Sequence, residues 1–178
     1  MNIKKALLSA LSVFFCIFLC SCFSSRPQTV CVGQGFRCEI SLECSGMDIV
    51  AEVAHHAPGL CTVSIVRPDS LKGLTAEWEG GEIRIDHLGM SMSLDPDKFP
   101  DAAFLPAVLD ALDSLSLAGE INPEPDQTGD RCICRGYCRA GEYIAMLDNE
   151  TGALYRLQIP DYGIDAGITK FEKSEDVD

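Results

Sequence analysis

Residues 38–65 read CEISLECSGMDIVAEVAHHAPGLCTVSI, and this stretch decides the fold. Cys38, Ile40, Leu42 and Cys44 alternate with Glu39, Ser41 and Glu43, the period of two that marks a half-buried strand. Ser45-Gly46-Met47-Asp48 is a turn, after which Ile49, Ala51 and Val53 continue the alternation around Glu52. Ala57-Pro58-Gly59 turns the chain again, and Cys61, Val63 and Ile65 against Thr62 and Ser64 make a third strand. Strands joined by such short turns pair antiparallel, because parallel pairing needs a long crossover.

The same punctuation extends outward. Pro68 to Gly73 predicts a single helical turn closed by glycine, followed by strands at Leu74–Trp78, Glu82–His87 and Met90–Leu94. The period then changes. From Asp101, the residues Phe104, Leu105, Val108, Leu109, Leu112 and Leu115 recur at spacings of three and four. They predict an amphipathic helix of about four turns, acidic at its start and ended by Gly119. Asn122 to Gly129 reads as a loop. Strands resume at Arg131–Arg139, Glu142–Leu147, Ala153–Ile159 and Ile164–Phe171, with Asp148 to Gly152 as a hairpin turn. The fold class is therefore mainly β (α+β). About ten antiparallel strands form a curled sheet or half-barrel, and one main amphipathic helix packs on its concave face. Such a helix on a curled sheet encloses apolar space. The candidate lining is Ile40, Leu42, Val53, Val63, Ile65, Trp78, Met90, Met92, Phe104, Leu105, Val108, Leu109 and Leu112.

The N-terminal segment has another character. Lys4 and Lys5 precede an apolar run from Ala6 to Leu19, about 21 Å as a helix at 1.5 Å per residue, short for a membrane span and suited to a signal peptide. Leu19-Cys20-Ser21-Cys22 resembles the bacterial lipobox, with Cys20 where alanine or serine is usual. That resemblance implies cleavage before Cys22, diacylation (palmitate-type) of its sulfur, and anchoring at the extracytoplasmic face of the cell membrane. The expected organisation is a signal peptide over 1–21, a tether over 22–33, one domain over 34–172, and an acidic flexible tail over 173–178.

Of 178 residues, 14 are Lys or Arg and 27 are Asp or Glu, a formal net charge of −13. Loss of Lys4 and Lys5 with the signal takes it to −15. That balance argues against a nucleic-acid partner, which needs clustered cations. Of the 10 cysteines, Cys16 and Cys20 leave with the signal and Cys22 takes the lipid. Cys31, Cys38, Cys44, Cys61, Cys132, Cys134 and Cys138 remain, an odd number that no complete disulfide framework accommodates. Their strand parity reads first as buried thiols, then as cross-strand disulfides, and last as a metal or redox cluster at Cys132, Cys134 and Cys138. His55-His56 reads as a solvated strand end, and Glu77 with Glu79 as a solvated face. No nucleophile elbow, phosphate loop or acid–base constellation is present in the sequence, so neither an enzyme nor a cofactor or metal site is expected.

The run VSIVRPDSLKGLTAEWEGGEIRIDHLGMSMSLDPDKFP (Val63 to Pro100) resembles small lipoproteins of Gram-positive bacteria with the LolA/LolB-like fold, a family that includes the lipoprotein carriers and LprG- and LppX-like proteins. The shared features are a strand leading to a P-x-x-L-x-G-L turn, three short strands and a P-x-x-x-P entry to a helix. QIPDYGIDAGITKFE, Gln158 to Glu172, resembles the family's terminal strand pair. The resemblance implies a concave cavity holding acyl chains. The expected function is that of an anchored, non-enzymatic lipoprotein binding a lipid or other apolar ligand. The alternatives are a structural or protein-interaction module with a filled core, and a thiol-redox lipoprotein.

Overall fold

The computed structural model describes residues 30–44, 46–95, 104–118, 124–125 and 130–174. The signal segment, Cys22 and the acidic start expected for the helix at Asp101 lie outside them. Among the described residues, eleven strands form one antiparallel sheet. They are β1 (Phe36–Cys44), β2 (Met47–Ala57), β3 (Leu60–Arg67), β4 (Thr75–Glu79), β5 (Glu82–His87), β6 (Met90–Leu94), β7 (Glu124–Pro125), β8 (Arg131–Cys138), β9 (Gly141–Asp148), β10 (Leu154–Ile159) and β11 (Ile164–Lys173). One α-helix, α1 (Phe104–Leu117), enters between β6 and β7. The short strand β7, with Glu124 opposite Ile133, falls inside the stretch read as a loop. Two residues carry no detectable period.

The order across the sheet is β6-β5-β4-β3-β2-β1-β11-β10-β9-β8-β7, so the first and last strands meet at the centre and the edges stay open. The β4 and β8 strands stand seven places apart in that order, roughly 34 Å on a flat sheet at about 4.8 Å per strand. Yet Arg139, in the turn after β8, places its guanidinium 6.0 Å from the centroid of the Trp78 ring on β4. Only a strongly curled sheet brings those walls together, and the concave side so made receives α1.

The alternation seen in the sequence decides what that side contains. On β3, Cys61, Val63 and Ile65 are buried, and on β9 so are Tyr143, Ala145 and Leu147. The helix buries Val108, Leu109, Leu112 and Leu115 against them, each side chain contributing about 1.5–3 kcal/mol. Glu77 and Glu79 face solvent, and Asp148 closes its hairpin by accepting hydrogen bonds from the Glu150 and Thr151 amides. Two boundaries shift. Val30 and Val32, read as tether, are buried in the core, and Lys173, read as tail, closes β11 while its Nζ donates to the Cys31 carbonyl at 2.7 Å. The core thus takes up the end of the expected linker because two valines there keep the period of two.

Cys38, Cys61, Cys132 and Cys134 are free, buried thiols packed as small apolar groups, and Cys138 is half-buried. Burial pushes the Cys38 and Cys134 thiols up to about 12, and Cys61 higher still, with the nearby Asp113 carboxylate adding to the effect. A raised acid in the folded state favours its neutral form. Its stabilising share is complete below the thiol's ordinary value near 8.5 and is lost as pH rises towards 12. Stability should therefore fall above about pH 8.5, by up to about 1.4 kcal/mol per pH unit for each buried thiol. Urea midpoints between pH 8 and 11 measure this, and Cys38→Val should flatten the decline. A thiol reagent at pH 7.5 should label exposed Cys31 quickly and the four buried thiols only on unfolding.

Candidate functional site

Two regions lie between helix and sheet, one polar and one apolar. The polar one is built from β2, β3, β4 and the third turn of α1. The alternation of Ile49, Ala51 and Val53 runs on to His55, which is therefore turned inward, 1% exposed, while His56 is outside. The expectation of a solvated histidine pair fails at His55 because the strand keeps its register to that point. The imidazole lies flat on the Phe36 ring, with centroids 4.7 Å apart and planes 2° from parallel, and Phe36 in turn stacks on Phe171. Nδ1 is 2.6 Å from the Gln34 carbonyl oxygen, and Nε2 is 2.7 Å from Oδ1 of Asp113.

Asp113 sits on the buried stripe of α1, four residues after Leu109, and is 8% exposed. Its Oδ2 accepts from the Trp78 indole Nε1 and from the Gly59 amide, each at 3.0 Å. One carboxylate therefore ties the helix to β2, to β4 and to the turn before β3. One turn earlier, Asp110 accepts from the Arg139 amide at 2.5 Å and pairs with its guanidinium. Arg139 also covers Trp78, so this end of the half-barrel is closed by polar side chains.

This cluster is not a nucleophilic site. Cys61 is the register partner of His55 and shares its face, which brings a thiol, an imidazole and a carboxylate together. Both ring nitrogens are committed elsewhere, however, and Cys61 Sγ points to the Thr62 carbonyl at 3.9 Å. The thiol has no base, and burial keeps it neutral. Cys132, Cys134 and Cys138 are likewise pushed up by burial, the reverse of what a reactive thiol needs. Among the described residues no group of three or more His, Cys, Asp or Glu is placed to hold a metal ion.

The apolar region lies under the other half of the helix. A cavity of about 240 Å³ is lined by Ile49 and Ile65, by Leu71 and Leu74 of the β3–β4 connection, by Ile83, Ile85 and Leu94 of β5 and β6, and by Phe104, Leu105 and Pro106 at the start of α1. A second, smaller space of about 20 Å³ shares Ile49, Ile65, Phe104 and Leu105 with it and is lined also by Ile40, Leu42, Val53, Val63, Val108 and Leu109. Trp78 and Leu112 are buried but line neither space. Met90 and Met92, expected in the lining, are 69% and 55% exposed. Their parity is inward, since Met92 pairs with Ile85 and Met90 with His87, but on this edge strand nothing among the described residues covers them. The lining residues Ile49, Leu71, Leu74, Ile83, Ile85, Leu94 and Pro106 lie outside the set expected from sequence, although Ile49 on β2 and Ile83 and Ile85 on β5 keep a period of two that could have marked them.

No protein-family model matches the chain, and no curated protein matches it in sequence. Among solved structures, an uncharacterized conserved protein from Thermus thermophilus superposes with a TM-score of 0.45 at 11% identity, covering 80% of each chain. The LolA superfamily protein NE2245 from Nitrosomonas europaea superposes with a TM-score of 0.40 at 8% identity, covering 84% of this chain and 88% of that one.

The Asp113 cluster is tested by truncation. Asp113→Ala removes the acceptor for three buried donors and should cost about 3–5 kcal/mol, as breaking a buried pair does. Urea denaturation followed by Trp78 fluorescence measures the loss; a cost under about 1 kcal/mol would show that the helix is held by its apolar stripe alone.

Proposed function

We propose that the protein is a non-enzymatic extracytoplasmic lipoprotein, anchored through Cys22, that holds an apolar ligand between the sheet and the first half of α1. The observation that carries the reading is the cavity of about 240 Å³ walled almost wholly by Ile, Leu, Phe and Pro side chains. An apolar space of that kind gains about 0.8 kcal/mol for each ligand methylene moved out of water. Its volume lies below the roughly 300–1,000 Å³ of sites for drug-sized ligands, so it suits a single apolar chain better than a whole two-chain lipid. The acidic balance of the chain gives anionic headgroups nothing to adhere to, which leaves attachment to the acyl group that the lipobox-like Leu19-Cys20-Ser21-Cys22 implies. Two acyl chains suffice for a stable anchor.

A second reading, a protein-interaction module, has one observation in its favour. Leu88, Met90 and Met92 expose apolar surface at the β5–β6 hairpin and along an open sheet edge.

Fluorescent cis-parinaric acid discriminates the two. The protein should bind it at one site per chain, and Leu105→Trp, which fills the cavity from its half-buried rim, should weaken binding at least tenfold with little change in far-UV circular dichroism. No binding, or equal binding by Leu105→Trp, would defeat the ligand reading and favour the interaction module. The anchor is tested separately. Expressed with labelled palmitate in a bacterial host, the wild type should incorporate label and sediment with membranes, and Cys22→Ala should do neither.

A further inference from the structure

We propose that His87, Met90 and Met92, on the β5–β6 hairpin, form a binding site for a soft monovalent metal ion, Cu(I). The site stands apart from the apolar cavity and does not rest on the ligand reading.

The backbone sets the three donors side by side. Leu88 and Gly89 join the strands with φ angles of 50° and 80°, and two positive values are what a tight two-residue hairpin turn requires. His87 and Met90 are therefore direct register partners, and Met92 follows two residues on, opposite Ile85. The period of two puts His87 on the face of Ile83 and Ile85 and Met90 on the face of Met92, so all three side chains share one face of the hairpin. Directly opposed residues have Cβ atoms about 4.5–5.5 Å apart, and a diagonal pair such as His87 and Met92 about 7–8 Å. Methionine, unbranched and with three rotatable bonds, spans such gaps.

The fold leaves these donors unengaged. Nδ1 of His87 is buried and has no hydrogen-bond partner. A ring nitrogen withheld from water and unpaired is a cost to the fold, and a bond to a metal removes it. The imidazole as a whole is only half-buried, which leaves an entering ion a path to the ring. Met90 and Met92 are 69% and 55% exposed, and nothing among the described residues covers them. Side chains so placed add little to the core, but their sulfur atoms are open to coordination.

The donor set names the ion. One imidazole and two thioethers are all neutral, and the thioethers are soft, which is the preference of Cu(I). Calcium and magnesium need oxygen ligands, and zinc is held by thiolates, imidazoles and carboxylates. The carboxylate next to His87, that of Asp86, belongs to the other face by alternation and pairs with Arg84 at 3.2 Å. A chain of net charge −13 favours a cation at its edge strand further. Binding exchanges the ion's previous ligands for these three and transfers no electron.

The test uses the full chain carrying Cys22→Ser, with accessible thiols capped by N-ethylmaleimide so that exposed Cys31 does not compete for the metal. Cu(I) is supplied as its bicinchoninate complex under nitrogen, with Ag(I) nitrate as a redox-inert counterpart. One equivalent of Cu(I) should leave the bicinchoninate. With either ion, the Met90 and Met92 methyl ¹³C signals and the His87 ring ¹⁵N signals should shift together, and Zn(II) should leave the methyl signals in place. Met90→Leu/Met92→Leu removes both sulfurs at nearly constant volume and apolar area, at positions exposed enough to spare the fold. Its circular dichroism should match the wild type while its affinity for Cu(I) falls at least about tenfold. Undiminished affinity in that variant, methyl signals that stay put during Cu(I) uptake, or an equal response to Zn(II) would overturn the site.

Discussion

A single carboxylate organises this molecule. Asp113 is the one acid among the buried residues of α1, and it is satisfied by donors from three places in the sheet: the His55 ring, the Trp78 indole and the Gly59 amide. Apolar packing alone lets a helix slide and roll on a concave sheet, since dispersion and hydrophobic burial have no direction. A buried carboxylate does not tolerate such movement, because every displacement leaves an unpaired donor or acceptor. Depth, rotation and axial position of the helix are thereby set together, and the apolar stripe supplies the strength.

The division of the helix into a pinned part and a roofing part follows from the same constraint. Asp110 and Asp113 engage the two walls of the half-barrel at one end, through Arg139 on one side and through Trp78 with His55 on the other. Trp78 and Arg139 are themselves in contact, so that end is closed. The first turn of α1 carries no acid, and it meets the sheet through the apolar side chains of Phe104, Leu105 and Pro106 beside an open volume. Polar closure at one end and an unfilled apolar space at the other are two outcomes of where the acids fall along fourteen residues.

The strands and the helix were legible because their signals are periodic and repeated. Glu39, Ser41 and Glu43 against Cys38, Ile40 and Leu42 leave no alternative to a half-buried strand, and the spacing from Phe104 to Leu115 none to a helix. His55 and Asp113 were not legible, for a common reason. Each is a polar residue on an apolar face, fifty-eight positions from the other, and neither is explained until both are brought together. Asp113 did break the stripe, which is the one mark such a site leaves in a sequence. Met90 and Met92 show the converse. Their parity is that of a core strand, but burial depends on what lies opposite, and at the sheet's edge nothing among the described residues covers them.

The cysteines join these threads. A polar core centre needs neighbours that neither compete for its hydrogen bonds nor bring charge, and the thiols of Cys38 and Cys61 meet both conditions while burial holds them neutral. Serine in place of Cys61 would offer Asp113 or His55 a rival hydroxyl. A thiol is small, apolar enough to be buried and a poor hydrogen-bonding partner. Cys61 is therefore suited to its place across from His55: the His55–Asp113 hydrogen bond lies in the core beside a neighbour that neither competes for it nor brings charge.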